Sequence, residues 1–165
     1  EGQWPFAAVL SCIDSRTSAE LVFDQGLGDI FSIRIAGNFA NQDILGSMEF
    51  ACNVAGSKLV VVLGHTKCGA LKGGLDAPQI EGLGMDNLNH LIYHFEPCIH
   101  EVIKEGEERS SKNEDLLERL NVCNIKSTIN DIRHQSSTLR NLEKEGKIMI
   151  VGANYDVETG VVTWL

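Results

Sequence analysis

The patterning of this chain predicts an α/β fold: a mostly parallel central sheet flanked by helices, with an antiparallel strand at its C-terminal edge. Three observations carry that reading. The runs Ala7-Ala8-Val9-Leu10-Ser11 and Leu59-Val60-Val61-Val62-Leu63-Gly64 are almost wholly apolar, so they read as strands buried on both faces. Segments with helical periodicity separate the strand-like runs, the alternation expected of a parallel sheet. Near the end, Glu158-Thr159-Gly160 reads as the turn of a hairpin.

Taken in order, residues 6–11 form the first strand. Residues 17–24 read as a short helix stopped by Gly26 and Gly28, and 30–35 as a second strand punctuated by Gly37-Asn38. Residues 43–55 are helical, because Ile44, Met48, Ala51 and Ala55 recur on one face and Gly56 follows as a stop. Residues 58–63 are the clearest buried strand. A short helix is expected over 68–71 and a Gly-rich loop over 72–84. Residues 86–106 read as a helix broken at Pro97, 107–113 as a charged turn, and 113–144 as a long helical stretch of one or two helices. Residues 147–153 give another buried strand, and 157–165 its hairpin partner.

The chain of 165 residues is sized for one domain, here 1–165, with one sizeable core. Hydrophobic residues make up 43%, a globular composition. The net charge of -9 argues against nucleic acid as a partner, since phosphate binding needs a basic face. No apolar run is long enough to span a bilayer. Cytoplasm is the expected compartment, or the periplasm or an organelle if a leader preceded Glu1. The five cysteines are odd in number and irregular in spacing, which does not suggest a disulfide framework; Cys52, Cys98 and Cys123 read as small buried hydrophobes.

The chemistry concentrates in two motifs, Cys12-x-Asp14-x-Arg16 and His65-x-x-Cys68, each directly after a buried strand. In parallel sheets, sites form outside the carboxyl ends of strands where the strand order switches, so the two motifs can meet. Together they offer two thiolates and an imidazole, three ligands for a four-coordinate zinc with one open position. Cys68, at a helix start, is expected to have a lowered thiol pKa. Each residue alone reads more simply, as a buried thiol or a satisfied histidine; the force lies in their joint placement. Asp14 held ionised by Arg16 would be a pure acceptor, fit to take a hydrogen bond from a hydroxide on zinc. A structural zinc site closed by Asp14 as fourth ligand stays open as an alternative.

Five stretches resemble the β-class carbonic anhydrases: Ser11-Cys12-Ile13-Asp14-Ser15-Arg16, the segment from Gly28 to Asn38, Gly46-Ser47-Met48-Glu49-Phe50-Ala51, Gly64-His65-Thr66-Lys67-Cys68-Gly69-Ala70, and the segment from Gly152 to Gly160. The resemblance implies zinc-dependent, reversible hydration of carbon dioxide to bicarbonate and a proton, with one Zn2+ per subunit. It implies Cys12, His65 and Cys68 as zinc ligands, and Asp14 and Arg16 as the dyad that holds the zinc-bound hydroxide. Gln3 matches a glutamine that hydrogen-bonds substrate. Phe31, Ala36 and Phe50 match apolar walls of the cleft, and Gly69 a glycine whose backbone lies against it. Some walls come from the neighbouring subunit, so a homodimer or a dimer-based tetramer is implied. A family variant in which aspartate occupies the fourth zinc position carries a tryptophan where this chain has Val9, so the open form is expected. The family's N-terminal helical arm has no counterpart in these 165 residues. His90, His94, His100 and His134 offer a proton relay in principle, but no spacing selects one and they read as solvated helix histidines. Rival functions on the same scaffold are hydrolysis of carbon disulfide or carbonyl sulfide, and non-catalytic bicarbonate binding.

Overall fold

The computed structural model describes residues 2–77 and 84–165. Its five strands form one sheet in the order β2-β1-β3-β4-β5. Strands β1 (Ala7–Ser11), β2 (Ile30–Arg34), β3 (Leu59–His65) and β4 (Met149–Tyr155) run parallel, and β5 (Val162–Trp164) pairs antiparallel with β4. Every residue of β1 is buried and so is nearly all of β3, as their apolar runs predict. The chain leaves β1 toward β2 and leaves β3 toward β4, in opposite directions. The order therefore switches between β1 and β3. Ser11 is level with Leu63, so the residues that follow these strands emerge side by side.

Seven helices are described: α1 (Ala19–Val22), α2 (Gln42–Glu49), α3 (Gly69–Leu75), α4 (Asp86–Ile92), α5 (Glu96–Val102), α6 (Glu114–Gln135) and α7 (Ser137–Lys144). One sheet face supplies Leu10, Val60, Val62 and Ile150 to a core closed by Ile44 and Met48 of α2, Ile125, Ile129 and Ile132 of α6, and Leu139 of α7. The long helix α6 crosses β3 and β4 where the strands carry glycine. A Cβ on Gly64 would meet Ile125 Cδ1 at 2.5 Å, and one on Gly152 would meet Ile125 Cγ2 at 2.7 Å. A second cluster, at the carboxyl edge of the sheet, gathers α3, α5 and the first half of α6 around Leu71, Phe95, Ile99 and Leu120. No helix of the described residues is long and apolar enough to cross a membrane.

Several element expectations are corrected. The first helix is a single turn, closed by Asp24 in the left-handed region before either glycine is reached. The helix expected over 43–55 changes to a π-helical turn at Phe50–Val54. The stretch expected as loop from residue 72 begins instead as the rest of α3. Gly74 is there for space: a Cβ on it would meet Phe95 Cδ2 at 3.0 Å. The remainder of that loop, 78–83, lies outside the described residues. The break in 86–106 falls before Pro97, in a 3-10 turn at Tyr93–Phe95, while the proline sits in the first turn of α5, where its missing N–H is not needed. Residues 113–144 are two helices, separated by Ser136, whose Oγ accepts from the Leu139 N–H at 3.1 Å.

Candidate metal centre

The switch point brings the two motifs together. Cys12 directly follows β1, His65 ends β3, and Cys68 caps the start of α3. All three are buried, and one ligand atom from each lies within 4.8 Å of the others. The two sulfurs are 4.0 Å apart. Sulfurs bound at about 2.3 Å in a tetrahedral zinc site stand roughly 3.8 Å apart, so the pair is already spaced for one ion. His65 Nδ1 lies 2.9 Å from the Thr66 carbonyl, which can only accept; Nδ1 therefore carries the proton. That leaves Nε2, fully buried, holding its lone pair and making no hydrogen bond of good geometry. An orphaned imidazole nitrogen beside two thiols is what a borderline-soft divalent cation would satisfy.

The electrostatics agree. The Cys12 thiol is pulled down by its hydrogen bond with Cys68, with help from His65 and the Gly37 N–H and against the effect of burial. The Gly37 N–H donates to Cys12 Sγ at 3.3 Å. Cys68 is not lowered as its helix-start position suggested. The N–H groups of α3 do favour its thiolate, but the bond to Cys12, burial and the Cys12 charge outweigh them and push it up. Two thiolates this close repel, so the pair carries one charge until a cation makes two tolerable.

Asp14 and Arg16 are locked together. Arg16 donates from Nε to Asp14 Oδ1 at 2.9 Å and from Nη2 to Oδ2 at 2.8 Å, and its backbone N–H adds a third bond at 3.0 Å. This fork holds the Asp14 carboxyl well below the usual carboxylate range. Asp14 is half-buried and Arg16 is exposed, and the charge of His65 is felt at the Asp14 carboxylate.

The sequence reading passed over the residues that hold these groups. Arg34, at the end of β2, donates to the Cys12 carbonyl at 2.9 Å and to the Asp14 carbonyl at 2.7 Å, clamping the ligand loop to the sheet. Thr17 Oγ1 donates to the Asp14 carbonyl at 3.0 Å. Buried Asn124 donates to the Gly37 carbonyl at 2.8 Å, fixing the peptide that touches Cys12 Sγ. Gly37 has φ +76, and a Cβ there would meet Phe95 Cζ at 2.3 Å. Thr66, whose carbonyl orients His65, has its own Oγ1 held by the Val157 N–H at 3.1 Å. A charged residue closing a strand beside a ligand loop was the available signal for Arg34; the others depend on contacts distant in sequence.

The expected cleft residues divide. Ala36, just after β2, and Gly69, next to Cys68, lie at the carboxyl edge with the ligands. Phe31 pairs with Ala8, four residues before Cys12, which is about 13 Å back along the strand. Its ring meets Phe50 edge to face at 6.2 Å, in an open groove between β2 and α2. Gln3 is exposed and precedes β1, at the opposite end of that strand from Cys12. One chain therefore does not bring Gln3, Phe31 and Phe50 to its own ligand trio.

A family model described as carbonic anhydrase matches residues 7–162. Carbonic anhydrase 2 of Mycobacterium tuberculosis is 33% identical over 159 residues, which cover 96% of this chain and 73% of that protein. The carbonic anhydrase of Mycolicibacterium smegmatis is also 33% identical, over 98% of this chain and 75% of its own length. Among solved structures, the β-carbonic anhydrase CcaA superposes with a TM-score of 0.87 at 26% identity, covering 99% of this chain and 74% of that one. The β-carbonic anhydrase CafA of Aspergillus fumigatus gives 0.83 at 28% identity, over 99% and 76%.

Proposed function

The chain belongs to the β-carbonic anhydrase family of enzymes, and from that premise we propose that it hydrates carbon dioxide reversibly to bicarbonate and a proton at a zinc ion held by Cys12, His65 and Cys68. The observation that carries the reading is the convergence of two thiols and an unpartnered, buried imidazole Nε2 beside a carboxylate whose two oxygens are committed to one arginine. Bound there, zinc would supply Lewis acidity, enough to make a water nucleophilic near neutral pH. The residues do the rest. Asp14, kept ionised by Arg16, can only accept a hydrogen bond, so it orients the attacking hydroxyl with its lone pair toward the substrate carbon. Because Arg16 engages Asp14, the carboxylate is held back from the fourth ligand position, which supports an open site.

Carbon dioxide is uncharged and small, so its pocket should be apolar with few donors. Phe31 and Phe50 suit that wall, and their place away from the chain's own ligands supports a homodimer in which each subunit lines the other's cleft, with Gln3 as donor. All five cysteines are free thiols, which supports a reducing compartment, the cytoplasm. The test is carbon dioxide hydration by the zinc-loaded protein with a Cys12→Ser control. Activity that tracks zinc content and disappears in the control is expected. A zinc-loaded, folded protein with no hydration activity would overturn the proposal.

A further inference from the structure

We propose that the turn between β4 and β5 is a positioning device for the metal centre, in which Asp156 acts through Thr66 to aim the His65 ring at the ion. The inference rests on the zinc reading above and deepens it. Only Thr66 and Lys67 separate the ligands His65 and Cys68. The end of β4 and the turn after it grip Thr66. Its N–H donates to the Tyr155 carbonyl at 2.9 Å, and its Oγ1 accepts from the Val157 N–H at 3.1 Å. The same hydroxyl donates to Asp156 Oδ1 at 3.5 Å. With its N–H and hydroxyl committed, the remaining polar group of Thr66 is its carbonyl, and this meets His65 Nδ1 at 2.9 Å. That bond keeps the proton on Nδ1 and the lone pair on the buried, unpartnered Nε2.

Asp156 gives the turn its shape. Its Oδ1 accepts from the Glu158 N–H at 2.8 Å and from the Thr159 N–H at 3.4 Å, the pattern by which an aspartate closes a turn over its own backbone. Its main chain closes the turn again. The Asp156 N–H donates to the Val161 carbonyl at 2.9 Å, and the Asp156 carbonyl accepts from the Gly160 N–H at 2.9 Å. The Glu158 N–H first, then Thr159 and Thr66, hold the Asp156 carboxyl below its usual value, so it stays an acceptor. One carboxylate oxygen thus ties the backbone of the turn to the Thr66 hydroxyl. Lys67 shows how tightly the ligand loop is constrained. It sits at φ +57, in the left-handed region, which is unfavourable for a residue with a Cβ. Such an angle persists where the surroundings over-determine it, often beside a functional site. The Lys67 ammonium pairs with Glu158 of the same turn, but that pair is exposed and worth little, so the hold falls on Asp156 and Thr66.

The test is zinc affinity by competition with a chelator, read together with the ring 15N and Nδ1–H NMR signals of His65 in the zinc-loaded protein. Asp156→Ala and Thr66→Val should each weaken zinc about tenfold, the scale set by losing a ligand's support, and each should shift or broaden the Nδ1–H signal. The double variant should lose little more than either alone, because both break one route. Asp156→Asn keeps an acceptor oxygen and Thr66→Ser keeps the hydroxyl, so both should restore the affinity and the signal. Wild-type zinc affinity and an unchanged Nδ1–H signal in folded Thr66→Val and Asp156→Ala would overturn the inference. So would a loss of unfolding stability in Asp156→Ala with the zinc-bound ring undisturbed, which is what a merely structural turn would give. The readout needs bound zinc but no turnover, so a protein that binds zinc without hydrating carbon dioxide contradicts the proposed function and leaves this result readable.

Discussion

Cys12, Asp14 and Arg34 separate three kinds of dependence at the residue scale. Cys12→Ser removes one of the two paired thiols, and loss of bound zinc by metal analysis is expected together with loss of activity. Asp14→Asn should keep zinc but lower kcat by about 10²-fold or more, because an amide can donate where the orienting group must only accept. Arg34→Ala should retain zinc and lose about tenfold in kcat, since it frees the carbonyls of both Cys12 and Asp14; Arg34→Lys should recover little, as one ammonium cannot repeat the two-point clamp. The pH dependence follows from Asp14. Its folded pKa lies below the ordinary 3.8, so the stability it contributes is present above that value and is lost as pH falls through the depressed folded value. A carboxyl NMR titration should find Asp14 still ionised where other aspartates have protonated, and an Arg16→Ala protein should return it to the ordinary range.

At the scale of elements, the strands explain both the fold's legibility and its gaps. The runs in β1 and β3 were readable because burial on both faces removes polar alternation, and the motifs were readable because each follows such a strand directly. The extent of α3 was not, because Gly73 and Gly74 signal a loop locally, and Gly74 owes its presence to Phe95 across the packing. The change to a π-helical turn at Phe50 and the 3-10 turn before Pro97 left no pattern either. Arg34, Asn124 and Thr66 support the centre through partners set by sheet register and helix packing, not by spacing. The contact of α6 with the sheet gives a stability test. Gly64→Ala puts a methyl against Ile125 and Asn121, and a loss of about 1–3 kcal/mol in urea unfolding is expected. Ile125→Ala, which empties the other side of that contact, should cost about 2–5 kcal/mol.

On the scale of the whole molecule, the chain brings Cys12, His65 and Cys68 together but leaves Phe31 and Gln3 away from them. Phe31 and Phe50 face an open groove on the β2 side of the sheet, and β2 is an edge strand with unpaired backbone. A dimer joined there would cover the edge and give each site its apolar wall. Light scattering should find a dimer or a multiple of it, and Phe31→Ala should depress hydration by tenfold or more while leaving zinc content intact. The measurement closest to the central claim is stopped-flow carbon dioxide hydration by the zinc-loaded protein from pH 6.5 to 9, beside Cys12→Ser. Substantial activity already at the lower end, absent in the control, is what an open site with Asp14 held by Arg16 gives. Activity that appears only above about pH 8 would contradict the open site, and none at any pH with zinc bound would contradict the enzyme.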